Sequence, residues 1–249
     1  MTDFVIIAVS ILSFGMIHLF VSLGIFFRIS GLFTGNIYTS HSLERFFLLI
    51  SSFWIALFTP LLAFLAEVIF STRNFIFLVI LSQLFAFLLL LVLIIFRSSI
   101  FSWACVVCEF SKNNRHFYFK IIPSFFYQRD ILLEFNRFEL IKINFRFLII
   151  GLLINIFAGS GFFIAFFWAS SFPDYRLTFS QSAIFIHGFA VILQSLYADP
   201  ALARLAENTD TNDWQDSFVS YLFGRCIAFL FMSFIFFFIY GEFKYEVQR

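Results

Sequence analysis

Six uninterrupted apolar runs, each about 20 residues or longer, constrain this chain more than any other feature. They cover residues 4–27, 46–70, 75–96, 145–169, 177–198 and 218–240. A helix of that length matches the hydrocarbon thickness of a bilayer. The expected fold is therefore all-α. It is a polytopic integral membrane protein of about six transmembrane helices, forming one transmembrane domain over residues 1–249. Composition agrees, because 61% hydrophobic residues and 45 phenylalanines are more than a soluble core of this size needs. The first run does not read as a typical cleaved signal peptide. Asp3 is the only charge before it, and Phe27 and Arg28 stand where small cleavage-site residues belong.

The bases set the expected orientation. Eleven Lys and Arg residues fall on the side of the first, third and fifth connections, and four fall on the other side. The positive-inside rule then puts both termini outside and the long third connection in the cytoplasm. That connection, residues 97–144, is expected to be interfacial. Within 129–143, charges at Arg129, Asp130, Glu134, Arg137 and Lys142 interleave with Ile131, Leu132, Phe135 and Phe138. This mixture predicts an amphipathic helix on the cytoplasmic membrane surface, serving as an elbow, a gate or a docking surface. Residues 100–107 are too short to span, so they extend the third helix or lie at the interface.

The stretch from Tyr197 to Arg225 is the longest polar interruption with a clear internal order. Asp199-Pro200 reads as a helix start, with the carboxylate as cap and the proline in a position that needs no donor. A short surface helix from Pro200 to about Glu207 should follow. Five acids and one base precede the next apolar run, so this rim does not itself attract an anion. Asp199, Glu207 and Asp210 are gating candidates, expected to pair with bases of the first or third connection and to close a mouth there. The plainer alternative is an ordinary capped loop between two spans.

Within the spans few side chains are ionisable, and each has a functional reading beside a structural one. His18 and His187 lie near the middle of the first and fifth spans, suited either to a neutral interhelical hydrogen bond or to proton relay. Arg225 lies inside the sixth span, where a guanidinium needs a carboxylate, a phosphate or water. Glu67 falls near the outer end of the second. Ser180, Ala183, His187, Ala190 and Gln194 form a stripe on the fifth span, and Gly161, Ala165 and Ala169 repeat every four residues on the fourth. Such small faces let helices approach closely. Gly31 and Gly35 have the same spacing past the first span, where capping explains them as well as packing does. Pro60 is expected to kink the second span. Cys105 and Cys108 make a CxxC with no second pair, which favours packing over metal or redox chemistry. No GxxxxGK[ST], GxGxxG or HExxH pattern is present, so neither a nucleotide, a cofactor nor a metal is expected, and nucleic-acid binding has no support. No catalytic set can be named from spacing, and the chain reads as transporter-like rather than as an enzyme.

Two segments carry a resemblance. IHLFVSLGIFFRISGLFTG, from Ile17 to Gly35, is similar to the first motif of the Amj family of alternate lipid II flippases of bacteria. So is Asp199-Pro200 after the fifth span, with Leu202, Leu205, Glu207 and then Gly224-Arg225 in the sixth. The chain departs from the pattern the resemblance implies at Val21, where an acid is expected, at Phe33, where a base is expected, and around Ser52. The resemblance implies a multi-pass protein of the bacterial cytoplasmic membrane. It would move undecaprenyl-pyrophosphate-linked disaccharide-pentapeptide from the inner to the outer leaflet, with membrane lipids and this lipid-linked anion as its partners. In that reading Arg28 meets the pyrophosphate, and His18, His187 and Arg225 line the path. The alternatives are a membrane enzyme acting on a lipid phosphate and a scaffold of cell-envelope synthesis. A polar cavity among the spans separates transport from the scaffold.

Overall fold

The computed structural model describes residues 2–69, 72–111, 142–207 and 213–246. These fold into helices α1 (Thr2–Thr34), α2 (Ile37–Phe64), α3 (Thr72–Ile95), α4 (Arg97–Ser111), α5 (Phe145–Ser171), α6 (Arg176–Leu193), α7 (Asp199–Glu207) and α8 (Asp213–Glu246). Among the described residues six helical stretches are long and apolar enough to cross a membrane, which makes the chain an all-α, multi-pass membrane protein. Most of the expected surface helix over 129–143, and the gating candidate Asp210, lie outside the described residues.

The helices exceed the apolar runs at their polar ends. The second span was expected to start at residue 46, yet α2 begins at Ile37 and includes His41, Glu44 and Arg45. Hydropathy detects hydrocarbon-facing turns and misses the turns that carry the same helix into the head-group layer. The first and sixth helices likewise run past their apolar cores. Pro60 lies inside α2, which continues helical beyond it.

A second difference concerns Asp199. It does not begin a separate capped helix. A π-helical turn, Gln194–Ala198, joins α6 directly to α7, and the Asp199 backbone is helical at φ −62° and ψ −48°. Its N–H reaches back to the Gln194 carbonyl, a π-type bond that widens the helix just before a proline with no N–H to give. The Asp199 carboxylate is thereby free to act across the fold. Another π turn, Leu65–Ile69, closes α2 at the opposite membrane face.

Packed neighbours follow the order α2, α1, α3, α8, α5, α6. The core is rich in phenylalanine, with Phe14, Phe58, Phe163, Phe218 and Phe229 fully buried, and it also encloses polar side chains such as Ser13, Ser82, Gln83 and Asn155. At the end of α1, Gly31 packs against Ser40 of α2, where a Cβ would lie 1.8 Å from Ser40 Oγ. Gly35, at φ +68°, makes the turn into α2, so the two glycines divide packing and capping between them. Helix α4 does not span. It packs on α1 and α2, with Ala104, Val107 and Cys108 buried against Phe27, Leu43 and Phe47. Cys108 Sγ lies 3.2 Å from Ser30 Oγ, and Asn36 Nδ2 donates to the Cys108 carbonyl at 3.3 Å. Burial pushes the Cys108 thiol up to about 11 and the Cys105 thiol higher still. Both are protonated packing groups at neutral pH.

Glycines also set the approach of α5 to α8. Helices α5 and α8 meet backbone to backbone, where a Cβ on Gly151 would fall 2.3 Å from the Tyr221 carbonyl oxygen and one on Gly224 2.1 Å from that of Leu148. No side-chain motion relieves either clash. Gly224→Ala must push the helices apart and should cost about 1–3 kcal/mol, as overpacking does. A lower thermal midpoint in detergent, with transport reduced alongside it, is the expected result. An unchanged midpoint would mean that the two backbones are not this close.

Candidate functional site

The ends of the helix row, α2 and α6, do not close tightly on each other. Helix α6 packs chiefly on α5, and only Ala183 and Ala190 along it are buried. Between α2 and α6 lies a cavity of about 420 Å³, with α1, α5 and α8 behind it. It runs from the face that carries the first and fifth connections down to the middle of the helices.

The mouth is charged. Arg28 Nη1 lies 3.1 Å from Asp199 Oδ2 and 3.4 Å from Glu44 Oε1. His41 Nδ1 lies 3.0 Å from the other Glu44 oxygen. One guanidinium therefore faces two carboxylates that come from different helices, and its pairs tie α1 to both α2 and the α6–α7 junction. Glu44 is almost buried, whereas Arg28 and Asp199 keep roughly a third and a quarter of their side chains exposed. Pairs like Arg28–Asp199, with both partners part-exposed, contribute only about 0–1 kcal/mol each. They can close the mouth without locking it.

The floor carries His18, Asn155, His187 and Arg225. Arg225 is 2% exposed, and its Nε and Nη1 are buried with no hydrogen-bond partner. Its charge rests over the face of Tyr221 at 5.9 Å. The contact of Gly224 with Leu148 brings α8 tight against α5 and so fixes Arg225 beside Asn155 on the same floor. Asn155 spends its amide on its own helix, donating to the Gly151 carbonyl at 2.9 Å. His18 is held between the rings of Phe14 at 4.7 Å and Phe229 at 4.5 Å. His187 lies 5.1 Å from the Phe162 ring, and its Nδ1 is also without a partner. A buried guanidinium with open donors is costly alone in a membrane, and an anionic oxygen between these groups would satisfy it.

The residues singled out in the sequence converge to an unusual degree. Arg28, His18, His187, Arg225 and Asp199 all line this one cavity. Glu207 ends α7, and its side chain is outside the described residues. Val21 and Ser52, two of the positions that depart from the family pattern, line the cavity as well. Phe33 packs away from it, against Phe101 and Trp214. Sequence reasoning missed Glu44 and His41, and placed Arg45, which also lines the cavity, only on the cytoplasmic side. Their signal was the continuation of a helical stripe through His41, Glu44, Leu48, Ser51 and Ile55, all of which line the cavity. Among the described residues, no group of three or more His, Cys, Asp and Glu side chains could hold a metal ion.

A family model described as "Amj: Alternate to MurJ" matches residues 14–237. No curated protein and no solved structure matches the chain.

Proposed function

The chain belongs to the Amj family, and on that premise we propose that it carries the anionic head group of lipid II from the inner to the outer leaflet of the bacterial cytoplasmic membrane. The observation that carries the reading is Arg225, buried at the end of a polar cavity with two donor nitrogens unused. The diphosphate is the group that chemistry of this kind accepts. With the base-rich face in the cytoplasm, the cavity opens inward. Arg28 meets the diphosphate first, exchanging Asp199 and Glu44 for phosphate oxygens. Arg225 receives it at the floor, with His187 beside it. The polyprenyl tail stays in the bilayer, beside α6, on which Ile184, Phe185 and Ile192 are exposed.

A cavity of about 420 Å³ lies toward the small end of sites that hold drug-sized ligands, which run from roughly 300 to 1,000 Å³. It takes the diphosphate and the adjacent sugar, while the peptide stem needs the cavity to widen. Helix α6, with so few buried side chains, is the wall best able to move.

The test is to deplete a bacterial cell of its main lipid II flippase while this protein is expressed. Growth should be rescued, and lipid II should become cleavable by a toxin added outside. Intact lipid II and no rescue would remove lipid II as the substrate. The contact between His41 and Glu44 gives a membrane enzyme its one specific support, since it puts a histidine and a carboxylate together at the mouth. Phosphate released from undecaprenyl pyrophosphate by the purified protein would favour that reading instead.

A further inference from the structure

A second cavity, of about 340 Å³, lies at the opposite membrane face, lined by Ala63, Glu67, Phe166, Asp174, Arg176 and Ser180 among others. We propose that it is the exit site for the same anionic head group, with Arg176 as the cation that meets the diphosphate and the Glu67–Arg176 pair as its latch. The identity of the cargo rests on the transport reading above.

The two cavities share walls. On α6, the stripe Ser180, Ala183, His187, Ala190 and Gln194 begins in the second cavity and ends in the first. Its fourteen-residue separation spans about 21 Å at the helical rise. Along α2, Phe58 falls between Ile55 of the first cavity and Ala63 of the second, and along α5, Phe162 and Phe163 fall between Ala158 and Phe166, so these rings with Phe14 form the septum of this proposal. Phe14, Phe58, Phe162 and Phe163 meet with centroids 4.8–5.9 Å apart. Rings can turn aside without breaking hydrogen bonds, and opening such a septum gives up about 0.5–1.5 kcal/mol for each ring pair that separates.

The latches match. At one face, Asp199 of the α6–α7 junction pairs with Arg28 at 3.1 Å. At the other, Arg176 at the start of α6 pairs with Glu67 at 3.9 Å. Each pair sits at a π turn, with Glu67 inside Leu65–Ile69 and Asp199 directly after Gln194–Ala198. A π turn is a fault in helical register, where a helix bends more readily than elsewhere. Helix α6 is thus fastened to the α1–α2 hairpin at both ends and buried little between them. Arg176 Nε is buried without a partner, so the outer cation keeps an unused donor turned from solvent. Asp174 and Glu67 give the exit site more negative than positive charge, which suits release, because a site that held the diphosphate tightly there would trap it.

The experiment reads accessibility rather than transport. Ala158→Cys places a thiol in the first cavity and Ser180→Cys one in the second, and the native Cys105, Cys108 and Cys226 are buried. A membrane-impermeant maleimide applied to sealed vesicles of either orientation should label Ala158→Cys from the base-rich face and Ser180→Cys from the other. Adding Glu67→Gln should raise labelling of Ser180→Cys severalfold and lower that of Ala158→Cys, since opening one end closes the other. Arg176→Gln should act in the same direction. A surface pair with no gating role leaves Ala158→Cys unchanged in both variants, and that result overturns the proposal. Phe58→Ala, or the milder Phe162→Leu if the first does not fold, should let reagent reach Ala158→Cys from the far face; a sealed septum in both also overturns it. Inorganic pyrophosphate separates this inference from the one it rests on. If it fails to slow Ala158→Cys labelling while the latch results hold, the cargo is wrong and the path stands. If it protects but the latch variants change nothing, the exit site is wrong.

Discussion

Arg225→Gln should abolish transport, by roughly 100-fold or more, without destabilising the protein. The argument compares two costs. A guanidinium buried at this depth with Nε and Nη1 unpartnered carries an uncompensated desolvation penalty, and the ring of Tyr221 at 5.9 Å offsets only part of it. Exchanging it for a shorter, neutral amide relieves that penalty. The thermal midpoint of the purified protein should therefore stay level or rise. The cargo loses two charge-assisted hydrogen bonds, each worth about 1.5–3 kcal/mol, which is the origin of the expected transport loss. Arg225→Lys keeps the charge but not the planar fork, and should restore only part of the rate. Lipid II cleavage by an external toxin gives transport, and unfolding in detergent gives stability. A structural arginine would show the opposite split, with a lower midpoint and transport intact.

The site of that arginine is partly legible in the sequence. Six apolar runs fix the number of spans, and Arg225 inside the last of them is conspicuous by its depth. The stripe from Ser180 to Gln194 marks a face of α6 without saying that its two ends open into different cavities. Partners were harder to read. The sequence makes Asp199 a candidate to pair with a base of the first or third connection, but its choice of Arg28 depends on how α1 and α7 meet across the mouth. Local grammar suggested capping at Asp199-Pro200, and tertiary electrostatics took the carboxylate instead. Glu44 and His41 were lost for a different reason. They stand on a polar helical start that a search for apolar length discards, although the helix carries them straight into the site. Close approaches such as Gly224 on Leu148 depend on which helices become neighbours, and the motif alone shows only that a small residue precedes the arginine.

Reversing the charge at the mouth should be as damaging as losing it at the floor. In Arg28→Glu three carboxylates face one another at the cavity mouth, because Glu44 and Asp199 remain. The mouth then repels an anion and no longer ties α1 to the α6–α7 junction. Transport should stop, while a thiol at Gln194→Cys, which lines the cavity near this rim, becomes more reactive from the base-rich face. Adding Asp199→Arg to the same chain separates the two roles of Arg28. The pair is rebuilt with its polarity exchanged, so Gln194→Cys labelling should fall back to the parental rate. Transport should not return, because the cation now stands on the α7 side of the mouth and the acid on α1 meets the diphosphate. The closing contribution itself is small. Asp199→Asn removes one half-wet pair worth about 1 kcal/mol or less, and should raise Gln194→Cys labelling by no more than roughly fivefold. Inorganic pyrophosphate should protect that thiol better in Asp199→Asn than in the parent, since Arg28 has lost a competitor for phosphate. Equal protection in the two would show that Asp199 does not compete with the cargo. Full transport in the exchanged pair would show that the mouth needs only a closed ion pair and not a cation on α1.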